Sequence, residues 1–208
     1  MSKKILWYIA DPMCSWCWGL MPVMNEVRKT AGDRMRLEIV PGGLRPGTKD
    51  PLPAAQREEI LHHWHTVHRK TGQPFRFGGA LPAGFIYDTE PASRAVVVAN
   101  AVGPDWAFAL FKAIQSAFYV EQRDVTHPDV LADLAAEAGL DASSFSRGFA
   151  SDDAKSETVK QFGKARQWGV RGFPTLIGQS GEDYTRLANG YCPFDMLQPR
   201  LDAWLDKV

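Results

Sequence analysis

Two cysteines separated by two residues, Cys14-Ser15-Trp16-Cys17, stand where a short apolar run ends and a helical pattern begins, and this junction limits the fold more than any other feature of the chain. Ahead of it, Lys4 to Ala10 is rich in aromatic and β-branched residues and is stopped by Asp11-Pro12, which predicts a buried strand feeding a tight turn. Behind it, Trp18, Met21, Met24 and Val27 recur at steps of three and four until Gly32-Asp33, which predicts a helix from Cys14 to Lys29 of about four turns. Met35 to Val40 then alternates with period two, a half-buried strand that Pro41-Gly42-Gly43 interrupts. The chain therefore opens β-α-β.

The middle changes character. Residues 52–71, 90–103, 104–121, 127–139 and 152–168 carry helical periodicity, separated by breaks such as Gly103-Pro104 and Thr126-His127-Pro128. After Phe173-Pro174, Thr175 to Ile177 and Tyr184 to Ala188 flank a turn spanning Gly178 to Asp183, a predicted hairpin. Pro193 opens a last helix bearing Met196, Leu197, Leu201, Trp204 and Leu205, with Cys192 at its N-cap. No repeat, low-complexity tract or linker interrupts this order. An α/β fold follows: residues 1–48 and 169–208 close one mixed sheet, and residues 49–168 pack on it as a helical insertion. The right-handed crossover sets the N-terminus of the first helix, and with it both cysteines, at the carboxyl edge of the first strand, where open α/β sheets bind ligands.

Composition narrows the function. With 45% hydrophobic and 23% charged residues in 208, the chain can bury a core, so disorder is excluded. Twenty-four basic against 24 acidic residues leave no net field to collect nucleic acid or anionic lipid, so neither is expected as a partner. Three cysteines are too few for a disulfide scaffold, and the odd count leaves one unpaired. No run approaches the ~18 apolar residues of a membrane span. The start, Met1 to Asp11, imitates a basic leader, but its apolar stretch is too short for one. The expectation is a cytoplasmic protein with reduced thiols.

At a strand-to-helix junction, a CxxC lets two sulfurs meet across one turn and alternate between dithiol and disulfide. The helix N-terminus there favours a thiolate on Cys14. The same spacing also serves half of a zinc site or two inert thiols. Zinc would need further ligands, and the candidates are Cys192 and the run His62, His63, His65, His68, which sits among Glu58, Glu59, Arg69 and Lys70 and so reads first as a solvated helix face. Pro174 lies at a strand entry, where only about 5–6% of X-Pro bonds are cis, so by itself it reads as trans.

Taken together, Asp11-Pro12-Met13-Cys14-Ser15-Trp16-Cys17-Trp18-Gly19 and, about 160 residues on, Gly169-Val170-Arg171-Gly172-Phe173-Pro174-Thr175 resemble the DsbA-like thioredoxin-fold oxidoreductases, most of all their FrnE-like cytoplasmic branch. The resemblance runs over nearly the whole chain. It implies a thioredoxin-like mixed sheet with a large helical insertion, and a cis bond before Pro174 packed against the CxxC. It implies Cys14 as nucleophile, Cys17 as resolving thiol, and Phe173-Pro174 as the loop that holds a substrate strand over Cys14. Trp16, between the cysteines, is expected to touch substrate. The implied reaction is exchange with protein or small-molecule disulfides, glutathione or another thiol being the redox partner and no cofactor being required.

Three features depart from relatives. No histidine lies between the cysteines, which argues against strong oxidant character. Tyr8 stands where thioredoxin-like chains often bury an acid, leaving Asp11 as the nearby candidate for proton transfer, although Asp-Pro before a helix usually just caps a turn. Cys192 is a third thiol open to glutathionylation or to no role at all. Trp18, Phe75, Phe77, Phe85 and Tyr87 either line an apolar groove or form core. Two other readings stand beside the oxidoreductase. A glutathione-binding kappa-class transferase or 2-hydroxychromene-2-carboxylate isomerase shares the fold but commonly has serine in place of the first cysteine. A non-enzymatic metal-binding or peptide-holding module needs no exchange. The direction of exchange is open, and the helical insertion offers faces for a homodimer without a heptad to mark one.

Overall fold

A computed structural model describes residues 4–207; the basic start at residues 1–3 lies outside them. Strands β1 (Lys4–Ala10) and β2 (Met35–Pro41) run parallel, joined by helix α1 (Ser15–Ala31). Strands β3 (Thr175–Ser180) and β4 (Asp183–Asn189) complete a mixed sheet of order β2-β1-β3-β4, with β3 antiparallel to both neighbours. Between β2 and β3 lie helices α2 (Ala54–Thr71), α3 (Glu90–Val102), α4 (Pro104–Ser116), α5 (Pro128–Glu137), α6 (Ala142–Ala150) and α7 (Asp152–Gln167), and α8 (Phe194–Leu205) ends the chain. This is the mixed sheet with a helical insertion that the element order predicts, in the thioredoxin-like form that the resemblance implies.

β1 reads as an unbroken apolar run because both its faces are covered. Leu6, Tyr8 and Ala10 enter the main core with Leu20, Met24 and Val27 of α1 and Leu201 and Trp204 of α8. Ile9 points the other way, into a smaller cluster with Val40, Ala165, Val170 and Ile177. Beside it the Trp7 ring lies 5.4 Å from that of Trp168, with the Lys164 ammonium 3.8 Å away. β1 is thereby fixed from two sides, and so is the turn that leaves its carboxyl end.

Four expectations need correction. The periodicity reading omits α6, whose serines and glycine are weak helix formers; its signal is local, Asp141 accepting from Ser144 N at 2.8 Å and Phe145 and Phe149 buried one turn apart. The helix expected over 104–121 is α-helical only to Ser116 and continues as a π-helical turn, Ala117–Glu121, that buries Phe118 and Tyr119 side by side. The hairpin turn is only Gly181-Glu182, because Gly178 belongs to β3, where a Cβ would overlap the Trp204 indole. Pro193, not Cys192, is the N-cap of α8, and Cys192 lies one residue outside.

Candidate active site

The site starts with the turn between β1 and α1. Cys14 N donates to Asp11 O at 3.0 Å, closing the turn, and Cys14 becomes the N-cap of α1. The Asp11 carboxylate, wholly buried, accepts from Met13 N at 2.9 Å and from Leu44 N at 2.7 Å. One side chain thus ties the approach to Cys14 to the loop that follows β2. Tyr87, from the insertion, donates its hydroxyl to Met13 O at 2.5 Å. Burial raises the Asp11 carboxyl to about 6, against the hydrogen bonds from Leu44, Met13 and Thr89, which lower it. The turn-capping reading of Asp11 therefore has a geometric basis, since both its oxygens are taken.

The two thiols differ in environment. Cys14 is 6% exposed and faces the Phe173 carbonyl, its Sγ 3.8 Å from that oxygen. Cys17 is fully buried one turn deeper; burial, and then the hydrogen bond with the Cys14 side chain, push its thiol well above the ordinary range. The two are not disulfide-bonded, and Cys192 is free as well. Tyr8, in the position expected of an acid, is buried with its hydroxyl donating to Cys17 O at 3.3 Å. On the outer side of α1, Trp18 is held by the insertion: its Nε1 donates to Pro74 O at 2.9 Å and its carbonyl accepts from Gln73 at 2.8 Å.

The peptide bond between Phe173 and Pro174 is cis, Pro174 is buried, and the Pro174 carbonyl accepts from Gly190 N at 2.7 Å. Phe173 is half-buried, and its ring fits against Gly42 so closely that a Cβ there would overlap it. Gly42→Ala should therefore push the Phe173 carbonyl away from Cys14. Misplacement on that scale is expected to slow exchange by about 10- to 100-fold, with an overpacking cost of about 1–3 kcal/mol. Stopped-flow reduction of a small disulfide, alongside thermal melting, checks it; an unchanged rate would detach the Phe173 loop from the reaction.

Cys14, Trp16 and Phe173 open onto one cleft of about 510 Å³, whose other walls include Gly42–Arg45, His63, Arg166 and Arg171. The half-buried Trp16 lies 6.0 Å from the Tyr191 ring, with the Lys70 ammonium 5.8 Å over it. Of the other aromatics, Trp18, Phe85 and Tyr87 are core, Phe75 and Phe77 pack against it half-buried, and Tyr87 also reaches the cleft, as does the buried Trp64. The histidines disperse: His65 stacks on Phe77 at 3.8 Å, His68 Nδ1 meets Gln73 O at 2.7 Å, and His63 is 3.9 Å from Glu59. Among the described residues no three His, Cys, Asp or Glu side chains gather to hold a metal. Cys192 lies outside the cleft, its Sγ 3.7 Å from Pro193 O.

Arg45, Arg166 and Arg171 went unnoticed in the sequence. Arg45 follows the Pro41-Gly42-Gly43 stop of β2, and the carboxyl ends of parallel strands are where such sheets bind ligands, so a signal existed. Arg171 lies inside the motif that contains Phe173-Pro174.

Residues 6–202 match the model of the DSBA-like thioredoxin domain. This chain belongs to that family. A solved structure of a candidate protein disulfide isomerase from Nitrosomonas europaea is 48% identical, with a TM-score of 0.93 over 98% of both chains. The cytosolic disulfide reductase DsbM from Pseudomonas aeruginosa is 26% identical, with a TM-score of 0.76 over 97% of this chain and 95% of that one, and it has also been solved with GSH. Among curated proteins, the ClpXP adapter protein SpxH of Halalkalibacterium halodurans is 25% identical over 80% of this chain but only 56% of its own length. The chain thus spans little more than half of that relative. Among the described residues, no helix is long and apolar enough to cross a membrane.

Proposed function

We propose that this DsbA-like protein is a dithiol–disulfide oxidoreductase working in the reducing direction, with Cys14 as nucleophile and Cys17 as resolving thiol. The observation that carries the reading is the pair itself: one sulfur at a cleft beneath the Phe173 carbonyl, the other sealed one helical turn below. Cys14 thiolate attacks a substrate disulfide RS–SR, forming Cys14–S–S–R and releasing one RS⁻, which takes up a proton. Cys17 then loses its proton and attacks the Cys14 sulfur, releasing the second RS⁻ and leaving a Cys14–Cys17 disulfide. Two equivalents of an external thiol return the protein to its dithiol.

The proposed direction rests on the residues between the cysteines. Strong oxidants of this chemistry owe their potential to a stabilised reduced form. Here Ser15-Trp16 puts no cation between the cysteines to stabilise the reduced form. Glutathione is the proposed reductant, a choice supported by the structure of DsbM with GSH. Phe173 offers its backbone, and the half-buried Trp16 its ring at the cleft wall, to the substrate. Cys17→Ser is expected to accumulate mixed disulfides on Cys14, visible by mass spectrometry as adducts that dithiothreitol removes. A Cys17→Ser protein that turns over like the parent would overturn the assignment of Cys17.

The curated relatives named ClpXP adapter proteins favour a second reading, in which the same face docks a partner protein. Partner binding that survives replacement of both Cys14 and Cys17 would support it over exchange.

A further inference from the structure

Cys17 has to become a nucleophile where water does not reach it, and a thiolate in such a place needs a hydrogen-bond donor. In the resting dithiol its thiol is bonded to the Cys14 side chain, but that partner is tied up once Cys14 holds substrate. Other polar groups around the pair are committed elsewhere. The Asp11 carboxylate accepts from Met13 N and Leu44 N, and the Tyr87 hydroxyl donates to Met13 O. Tyr119 faces the pair from the π-helical turn, yet its hydroxyl is bonded to neither sulfur. Tyr8 is placed differently. Its strand is central in the sheet, where it pairs with Ile39 on one side and Leu176 on the other, and its ring meets Phe111 edge-on at 5.6 Å. The hydroxyl is thereby aimed at Cys17, 3.3 Å from its carbonyl oxygen and within reach of the sulfur of the same residue. Burial, and then the charge that Cys17 would carry, hold the phenol proton in place, so this group donates and does not serve as a base.

We propose that Tyr8 is a catalytic residue of the resolving step: a turn of its O–H bond moves the donated hydrogen bond from the Cys17 carbonyl to the Cys17 sulfur as that sulfur becomes a thiolate and attacks Cys14. The inference rests on the exchange reaction proposed above, and it adds the group that makes the sealed thiol reactive. The step balances as follows. Cys17–SH attacks the Cys14 sulfur of Cys14–S–S–R, the Cys14–Cys17 bond forms, the bond to R breaks, and the Cys17 proton leaves with the departing thiolate as RSH. The phenol keeps its own proton throughout. Unlike a buried acid, a neutral donor adds no negative charge beside the thiolate. In dry surroundings a hydrogen bond to an anion is among the strong ones.

The test follows both steps in one absorbance trace. The whole reduced protein, carrying Cys192→Ala to remove the third thiol, is mixed with excess dithiobis(nitrobenzoate). The first nitrothiobenzoate released reports attack by Cys14, at a rate proportional to the reagent; the second reports attack by Cys17, at a rate independent of it. Cys17→Ser, which lacks the second phase, calibrates the assignment. Tyr8→Phe should slow the second phase about 10- to 100-fold and leave the first within about twofold. Tyr8→fluorotyrosine, a more acidic phenol of nearly the same shape, should speed the second phase severalfold, a gain that a packing role of the ring does not produce. The fluorinated protein also decides the matter alone should Tyr8→Phe fail to fold. A second phase that Tyr8→Phe leaves unchanged, or that fluorination does not accelerate, overturns the inference while exchange itself stands. Equal slowing of both phases marks a displaced cysteine pair and overturns it too. A parent protein with no second phase removes the resolving role of Cys17, and the inference with it.

Discussion

Cys14→Ser is expected to bring disulfide reduction down to the uncatalysed rate while leaving the protein folded. The two parts of that expectation have separate causes. A serine hydroxyl does not ionise near neutral pH, so no nucleophile remains, and Cys17, buried beneath and pushed toward its protonated form, has no access to replace it. The fold survives because the exchanged atom sits at a helix N-cap, where serine is a favoured residue. Insulin reduction followed by turbidity, with circular dichroism as the control for folding, separates the two. A folded Cys14→Ser protein with parental activity would contradict the nucleophile assignment.

Asp11→Ala should instead act on stability. Its loss leaves the buried N–H of Met13 and the partly buried N–H of Leu44 without an acceptor, a cost of about 2–4 kcal/mol in total, and it frees the β2 loop from the Cys14 turn. The pH dependence carries a sign that identifies the residue. Burial raises the Asp11 carboxyl to about 6 in the folded chain, above the ~3.9 of an unfolded aspartate. Between those values the folded chain holds a proton that the unfolded chain has released. The contribution of this group is therefore fully present below about pH 4 and is lost as pH rises through about 6, amounting to about 3 kcal/mol at most. Urea melts of parent and Asp11→Ala at pH 8 and pH 4.5 should show the parent's advantage larger at the lower pH by about 2 kcal/mol. A constant advantage would show that the carboxyl titrates normally, and one larger at pH 8 that folding lowers its pKa; either result contradicts the account.

What was legible in the sequence was what strong local patterns carry. The Lys4–Ala10 run, the step-of-three helix behind Cys14 and the alternation after Met35 each match one element, and the CxxC marks their junction. The resemblance supplied the cis bond before Pro174, against the ordinary prior for X-Pro bonds. What was not legible depended on contacts between distant residues. Gly178 looks like turn punctuation until Trp204, 26 positions later, is seen lying against it. α6 hides among serines because burial of Phe145 and Phe149, not propensity, holds it. Arg45, Arg166 and Arg171 are spread over more than 120 residues and meet only when β2, α7 and the Phe173 loop converge on one cleft. That they share one cleft is what sequence does not display.

The central claim is that Cys14 and Cys17 form one reversible redox couple, and a titration of the protein in graded glutathione buffers tests it most directly, with alkylation and mass spectrometry identifying the paired cysteines. The account predicts that Cys14 and Cys17 pair and separate together as a single two-electron couple, that Cys192 stays a free thiol, and that the midpoint lies between about −200 and −270 mV. A midpoint near −120 mV would reverse the direction of exchange. Cysteines 14 and 17 that never pair at any buffer ratio would contradict the account outright.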